Sequence, residues 1–514
     1  MENLLSPMPK EIVLCLCLFL SIAGLSQHPE RSINMWQASA LKKQIYTTHP
    51  ILPIQSSSDT NLRFNKESIL GLSGLKLTRS ESKDFFFSVK PLIAIDAGSN
   101  LMQQDYSVKA AAGLDVNAHY KDKLYLRGQY SLNYLRNFAF IDAYISENRN
   151  YPGKALPMGN FLNNGSFSLD WQTSEHINLK AGFDKHFIGK GYRSLFLSDA
   201  AYNYPYAGLT ADVWKFSYTA LWAKMKDIRH NNKTTWNQFS DKYMAFHYLS
   251  WQIHPRFRIG FFESIVWQGS DESGERGFEI NYLNPVIFFR PVEYNVGSPD
   301  NALLGFDMDY HAGDQLFYFQ LMLDEFKLEE IRAMNGWWGN KQAFQLGWRS
   351  FDIFNTQNFH SIFEFNYIRP FMYSHRTPLQ SYGHYNQPLA HPIGANGMEG
   401  IVELSFSHQR WYFLLRNNYL LYGTDPDNRN FGRDIFKDYD TRVKDYNNFI
   451  GQGNENHLMH NVFYVAYLLN QDLGLHSFLR FTHRYHTNQD KTNSGIYVQL
   501  GLSTFLRDEW FDYL

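Results

Sequence analysis

Cysteine is almost absent from this chain. Of its 514 residues only two are cysteines, Cys15 and Cys17, and both lie in an apolar run near the N-terminus. A lysine precedes the run, and small residues follow it as far as Ser26. This order predicts a secretory signal peptide over residues 1–26, cleaved before Gln27. The mature chain would then contain no cysteine, which excludes disulfides, thiolate metal ligands and a cysteine nucleophile.

The chain also lacks an excess of charge and, beyond the predicted signal peptide, any long hydrophobic run. Its 48 lysines and arginines nearly balance 50 aspartates and glutamates, for a net charge of −2. We therefore expect no nucleic-acid partner. No apolar stretch of about 18 residues follows the signal, so membrane-spanning helices are excluded.

Aromatic residues are abundant instead, at 17% of the chain, and many runs of about ten residues alternate apolar with polar side chains. In residues 302–311, Leu304 and Met308 fall on one face, and Asp307 and Asp309 fall on the other. A period of two is typical of strands with one apolar and one polar face. The same alternation recurs in residues 315–324 and 495–505.

Short and long connections between these runs alternate. The short polar turns lie at Lys121-Asp122, Ser174-Glu175, His254-Pro255, Gly313-Asp314, His408-Gln409 and residues 470–472. The long connections are residues 137–164, 269–301, 370–397 and 423–456. Outer-membrane barrels have short periplasmic turns and long extracellular loops. We therefore expect an all-β fold, an antiparallel transmembrane β-barrel of about eighteen strands, with loops exposed at the cell surface.

The barrel is predicted over residues 85–514. Residues 27–84 form a separate N-terminal segment, expected in the periplasm or inside the lumen. An even strand number would return the C-terminal end to the periplasm. An interfacial aromatic belt is expected beside the short turns, and four tryptophans lie there: Trp171, Trp214, Trp251 and Trp411.

One glycine-rich stretch, GKGYRSLFLSD at Gly189–Asp199, combines two glycines with a lysine. It lacks the spacing of a phosphate-binding loop, and no amphipathic helix follows it. We interpret it as the end of a strand passing into an outward loop, with Lys190 and Arg193 facing lumen or solvent. Together with Tyr192 and Asp199, these are candidate contacts for anionic or hydroxylated groups.

Two more loop segments carry binding chemistry. They are GWWGNKQ, residues 336–342, and YGHYNQPLAHP, residues 382–392. Flat aromatic faces with amide and imidazole donors suit sugar rings, which offer apolar C–H faces and many hydroxyls. The alternative is a loop packed on itself, with its aromatic rings forming a lid over the lumen. The candidate contacts are Trp337, Trp338, His384, Tyr385, Asn386, Gln387 and His391.

No metal, cofactor or catalytic site is predicted. The pairs His457/His460 and His483/His486 have metal-like spacing, but they lie in strand patterns, where residues three apart point to opposite faces. The chain has no G-x-S-x-G nucleophile elbow. We therefore expect a protein that is not an enzyme.

Four segments resemble the Wzi-type capsule-assembly family, and most of all its RemB-like gliding motility branch. They are GKGYRSLFLSDAAYNYPY, LNPVIFFRPVEYNVGSPDNALLG, LDEFKLEEIRAMNGWWGNKQ and FNYIRPFMYSHRTPLQSYGHYNQPLAHPIGAN. The resemblance implies an eighteen-stranded outer-membrane barrel, whose capsular members act as surface lectins and whose gliding members serve surface motility. Capsular members resemble barrels closed by an N-terminal helical bundle, whereas only one short helix is plausible here.

The first hypothesis is therefore a non-enzymatic surface barrel acting in gliding motility, adhesion or attachment of capsule or other surface polysaccharide. Its expected partners are outer-membrane lipid, a surface polysaccharide, and gliding or secretion machinery. A passive diffusion porin is the alternative, with an open lumen lined by charges such as Asp307, Asp309 and Arg480. An outer-membrane hydrolase is the second alternative.

Overall fold

The structure is a computed structural model. It describes residues 84–121, 123–229, 236–271, 274–284, 300–471, 473–504 and 511–514, with the backbone of two short strands, Ile51–Leu52 and Thr78–Glu81. The predicted signal peptide and most of the 27–84 segment lie outside the described residues.

Eighteen long antiparallel strands in the described part of the chain close into one barrel, which confirms the predicted fold. We label them β1–β18 in chain order. Their bounds are Phe85–Asn100, Asp105–Tyr120, Leu124–Arg136, Phe161–Gln172, Ile177–Asp184, Tyr204–Val213, Phe216–Asp227, Ser240–His254, Phe257–Gln268, Asn301–Ala312, Gln315–Leu323, Gln342–Ser350, Phe359–Ile368, Gly397–His408, Trp411–Thr424, Asn454–Asn470, Leu475–Asn488 and Thr492–Ser503. The barrel closes where β18 pairs with β1, with Tyr497 opposite Asn100.

Several short strands, helices and 3-10 turns accompany the eighteen long strands. Thr78–Glu81 pairs with the start of β1, and Ile51–Leu52 pairs with Phe187–Ile188. Two-residue ladders join Ser270–Asp271 to Gly274–Glu275 and Gly383–His384 to Gln387–Pro388. The helices are α1, Ala139–Asn148, and α2, Leu328–Ala333, with 3-10 turns at Trp236–Gln238, Ile280–Leu283, Ile353–Asn355, Pro378–Gln380, Pro426–Asn428 and Tyr439–Thr441. Among the described residues, neither helix has the length and apolar character needed to span a membrane.

The strand faces follow the alternation in the sequence. On β10, Leu304 and Met308 are exposed on the outside of the barrel, whereas Asp307 and Asp309 are buried on the inside. A lipid-facing surface requires apolar side chains, and the lumen can accept polar ones. The outer surface is therefore the apolar one.

The connections divide the barrel into two ends. One, the short-turn end, has connections such as residues 214–215, 255–256 and 409–410; the other, the long-loop end, has most of the long ones. Three of the four tryptophans that flank the short turns, Trp171, Trp214 and Trp411, are exposed. This is the position expected of an interfacial belt.

The largest buried apolar cluster lies inside the barrel. Two long connections supply much of it, residues 185–203 between β5 and β6 and residues 369–396 between β13 and β14. We call these two segments together the luminal plug. Leu195, Phe196 and Tyr382 of the plug are fully buried. The plug brings most of the predicted contact residues into the lumen.

Candidate functional site

The stretch Gly189–Asp199 does not form an outward loop. Every residue in it except Tyr192 is buried, including Lys190, Arg193 and Asp199. The interpretation as an outward strand-to-loop passage is therefore wrong for the backbone, which turns into the lumen after β5. The reason lies in tertiary contacts, because polar side chains of the opposite barrel wall bind this backbone.

Glu364 on β13 binds the beginning of the stretch. Its carboxylate accepts hydrogen bonds from the backbone N–H groups of Tyr192 and Arg193, at 2.6 and 3.0 Å. A Cβ at Gly191 would lie 2.4 Å from a Glu364 carboxylate oxygen, so glycine is what permits this approach. The stretch thus binds an anion through its backbone, and that anion belongs to the barrel wall.

Two glutamines hold the rest of the backbone. The side-chain oxygen of Gln320 on β11 accepts from Leu195 N at 2.8 Å, and its amide nitrogen donates to Ile188 O at 3.0 Å. Gln345 on β12 donates to Arg193 O at 3.0 Å. These bonds supply partners to backbone groups that are buried away from water.

A buried ionic cluster links the plug to β14. The Arg193 guanidinium makes a bidentate contact with Glu399, at 2.8 and 2.9 Å. The His391 ring nitrogen Nε2 lies 2.7 Å from the same carboxylate, and Asn418 donates to it at 3.1 Å. Burial lowers the pKa of His391, and the neighbouring Glu399 opposes that shift.

The segment 382–392 is packed on itself and on its neighbours. His384 is fully buried; its Nδ1 accepts from Lys226 N, and its Nε2 donates to Asn203 O, both at 3.0 Å. Burial lowers the pKa of His384 to about 3. Tyr385 is buried as well, so this segment matches the alternative of a lid over the lumen.

The amides of this segment bind the connection between β3 and β4. Asn386 donates to Asn148 O at 2.8 Å, and Gln387 donates to Tyr151 O at 2.9 Å. The two parts of the plug also bind each other, since Ser198 N donates to Leu389 O at 2.7 Å. The predicted residues therefore hold loops together inside the barrel.

Lys190 lies near a second ionic cluster on β9 and β10. There Arg258 binds both Asp307, at 2.6 Å, and Asp309. Burial lowers the pKa of Lys190 to about 8, and the Asp309 carboxylate opposes that shift. The two aspartates, expected to line an open lumen in a porin, are buried in ion pairs.

Trp337 and Trp338 lie outside the plug, where they are half-buried. The Trp338 ring is 4.7 Å from the Tyr439 ring and 5.8 Å from the Trp337 ring, centroid to centroid. The Arg442 guanidinium lies 4.1 Å from the Trp338 ring, and the Lys327 ammonium lies 4.9 Å from the Trp337 ring. We call Trp337, Trp338 and Tyr439 the aromatic rim.

The aromatic rim is formed by two long connections, residues 324–341 and 425–453. Their backbones are bonded directly, because Trp338 N donates to Asp445 O at 2.8 Å and Asn447 N donates to Asn335 O at 2.8 Å. These bonds fix the positions of the rings, which remain half-exposed. Such preorganised aromatic surface costs little entropy on binding.

Sequence reasoning missed the wall residues that bind the plug: Gln320, Gln345, Glu364 and Glu399. A signal for them exists, since each lies on the polar face of an alternating strand. What the sequence lacks is any indication of which distant loop reaches them. In the described residues, no group of three or more histidines, cysteines or carboxylates could hold a metal ion.

Comparisons with known proteins identify the fold. Neither family models nor curated protein sequences match the chain. Among solved structures it is similar to Wzi of Escherichia coli, described as a carbohydrate-binding β-barrel involved in group 1 capsule assembly, at 12% identity and a TM-score of 0.51 over 81% of this chain and 84% of Wzi. OccAB2 of Acinetobacter baumannii aligns at 12% identity and a TM-score of 0.43, over 81% and 97% of the two chains. OprD of Pseudomonas aeruginosa aligns at 10% and 0.42, over 82% and 96%.

The likeness to Wzi agrees with the closed barrel seen in the structure. The chain has the fold of outer-membrane β-barrels, and its similarity to Wzi concerns the fold alone at this level of identity.

Proposed function

We propose that the protein is a non-enzymatic outer-membrane barrel that binds a surface polysaccharide through its aromatic rim. The carrying observation is a cluster of half-buried aromatic side chains, Trp337, Trp338 and Tyr439, with the Arg442 guanidinium beside the Trp338 ring. Aromatic faces fit the apolar C–H faces of sugars, and charged neighbours fit hydroxyl or acidic substituents. The description of Wzi as carbohydrate-binding adds support.

We assign the long-loop end to the cell surface, because outer-membrane barrels place long loops outside. The biological role would be gliding motility, adhesion or attachment of capsular polysaccharide, with gliding or secretion machinery as protein partners. The RemB-like resemblance favours motility, and the Wzi fold favours capsule attachment. Among the predicted residues, Trp337 and Trp338 are the proposed ligand contacts. The buried ones, such as Arg193 and His391, would reach a ligand only after the plug moves.

The porin alternative requires an open path through the lumen. The described plug residues and the Arg258 cluster occupy the inside of the barrel, which speaks against free diffusion. We therefore expect little ion conductance from the purified barrel in a planar bilayer. Large, stable conductance steps in the unmodified protein would favour the porin instead.

The first experiment compares a deletion strain with its parent, scoring colony spreading and surface-polysaccharide staining. Loss of spreading with normal staining indicates motility. Loss of staining indicates capsule attachment. If neither changes, the proposed surface role is wrong.

The second experiment tests the aromatic rim directly. The purified Trp338→Ala variant should lose binding to polysaccharide isolated from the producing cells, because its aromatic platform is gone. The matched control is Trp214→Ala, which removes an exposed tryptophan at the opposite end of the barrel. Equal binding by both variants and the unmodified protein would contradict the proposed role of the rim.

A further inference from the structure

The last described residues, Phe511–Leu514, lie inside the barrel and not at its periplasmic edge. The Phe511 ring packs against Tyr151 at 5.8 Å and lies 4.6 Å from the Lys109 ammonium. The Tyr513 hydroxyl lies 3.4 Å from that of Tyr144 on α1. An even strand number leaves β18 at the short-turn end, so this tail must re-enter the lumen.

Asp512 of the tail reaches the glycine-rich part of the plug. Its carboxylate lies 3.0 Å from the Arg193 guanidinium and accepts a hydrogen bond from the Tyr192 hydroxyl at 2.7 Å. The Asn418 amide on β15 lies 3.4 Å away. The Asp512 side chain is only 4% exposed. The buried carboxylate thus faces one guanidinium and two hydrogen-bond donors, Tyr192 and Asn418, an arrangement that suits an anion.

Two arginines, Arg193 and Arg416, act electrostatically on the Asp512 carboxylate. Arg193 also binds Glu399, and Arg416 binds Glu403 at 2.7 Å while its guanidinium lies 4.4 Å from the Tyr192 ring. Removing Asp512 would take one of two anionic partners from the buried Arg193 guanidinium and would remove a negative charge near Arg416, which is 23% exposed. It would also leave the Tyr192 hydroxyl without its acceptor.

The tail is held by a second cation as well. Arg484 on β17 donates two hydrogen bonds to the backbone oxygen of Leu514, at 2.9 and 2.6 Å. The Phe511–Leu514 segment thus presents two acceptors to two arginines, as a bound ligand would. Both acceptors, the Asp512 carboxylate and the Leu514 backbone oxygen, are groups that a separate ligand could also present to these arginines.

We propose that Tyr192, Arg193 and Asn418 form a carboxylate-binding site in the lumen, that Asp512 occupies it as an internal ligand, and that a free carboxylate such as that of an acidic sugar binds there when the tail is withdrawn. This site is distinct from the aromatic rim. Either proposal can therefore fail without the other.

The test replaces the internal carboxylate with a small free one. Asp512→Ala removes the carboxylate and leaves space for formate, so the variant should unfold at a lower temperature than the unmodified protein. Sodium formate should reverse at least half of the decrease in the midpoint temperature of unfolding. Sodium chloride at the same ionic strength and neutral formamide should not. Unfolding is followed by the gel mobility of samples incubated at a series of temperatures.

Two variants serve as controls. Asp512→Asn keeps the volume of the side chain, so it should be destabilised without responding to formate. Asp427→Ala removes a carboxylate that is 86% exposed on another loop, and it should show neither effect. If Asp512→Ala does not fold in cells, it is refolded from urea, and the yield should rise in formate but not in chloride.

The proposal is overturned if formate stabilises Asp512→Ala no more than chloride does. It is also overturned if formate raises the midpoints of Asp427→Ala and Asp512→Ala equally, because the effect would then be a general one of the salt. For a variant recovered only by refolding, equal yields in formate and chloride have the same meaning.

Discussion

The luminal plug and the aromatic rim are built from similar sequence but have opposite exposure. Both consist of long connections at the same end of the barrel, and both combine glycine, aromatic and polar residues. The plug segment Gly189–Asp199 is almost wholly buried, whereas Trp337 and Trp338 remain half-exposed. The difference lies in their partners. The plug binds side chains of the barrel wall, and the rim loops bind each other through their backbones.

This comparison shows what burying an irregular loop requires. Backbone groups taken from water need hydrogen-bond partners, and the inward faces of β11–β13 supply them through Gln320, Gln345 and Glu364. Glu399 on β14 binds the side chain of Arg193 instead. The rim loops pair backbone groups with each other and with the plug, where Arg369 donates to Trp337 O and Phe371 N donates to Gly432 O. A plug is therefore encoded in the strands as much as in the loops, while a rim is encoded in the loops alone.

The largest effect is expected from Glu399→Ala. The change removes one of the two carboxylates that pair with the buried Arg193 guanidinium and leaves only Asp512. Breaking a buried ion pair in this way costs about 3–5 kcal/mol of stability. The free energy of unfolding, measured by urea titration of the purified barrel, should fall by that amount. Glu455→Ala, which removes a partly exposed carboxylate on β16, is the control and should change it by less than about 1 kcal/mol. Equal losses in the two variants would mean that the plug is not anchored through Glu399.

The second-largest effect is expected from acid, which should lower the stability of the plug. The pKa of His384 is lowered by burial from its ordinary 6.5 to about 3, so the unfolded chain binds its proton first as the pH falls. The contribution of neutral His384 to stability is complete above about pH 6.5 and declines below it, at most by about 1.4 kcal/mol per pH unit. Melting temperatures measured from pH 7 to pH 4 should show this decline.

The variant that isolates this contribution is His384→Gln, whose amide can both accept and donate but does not titrate. Its melting temperature should fall less steeply with acid than that of the unmodified protein. It should still fall, because burial also lowers the pKa of His375 to about 4. Parallel curves for the two proteins would show that His384 is not held neutral in the lumen.

A single methyl group tests the contact between the plug and the wall. In Gly191→Ala the new Cβ would meet a Glu364 oxygen at 2.4 Å, and such overpacking costs about 1–3 kcal/mol. The control is Gly400→Ala on β14, where no atom lies within 4 Å of the added Cβ. Urea titrations should separate the two variants. If they unfold alike, the backbone around Gly191 does not approach the wall this closely.

The smallest effect is expected at the rim. Arg442→Ala removes the guanidinium above the Trp338 ring, a contact of about 0.5–1 kcal/mol at an accessible site. Stability should change by no more than this, while polysaccharide binding should weaken measurably. A loss of stability comparable to that of Glu399→Ala would place the rim among the supports of the plug and would erase the contrast between the two regions.

Much of the fold could be predicted because strand alternation is a local signal. Leu304 and Asp307 are assigned to opposite faces by their spacing alone, and the structure places them there. The alternation of short and long connections predicted a short-turn end and a long-loop end, and it supported the count of about eighteen strands. The candidate site was less predictable. Lys190 and Arg193 are residue types expected at exposed contacts. Nothing next to them in the sequence indicates that Arg193 will bind Glu364 and Glu399, or that Lys190 will lie near Asp309.

The sequence by itself determined the barrel, its strand number and its apolar outer surface, because these depend on periodicity within each run and on the need to close the sheet. The tertiary structure alone decided what fills the lumen. Pairings such as Arg193 with Glu399, or with Asp512 of the tail, join residues hundreds of positions apart. Their charges can be read from the chain, but their meeting follows from the closure of the barrel, which brings the inward faces of distant strands around the same loops.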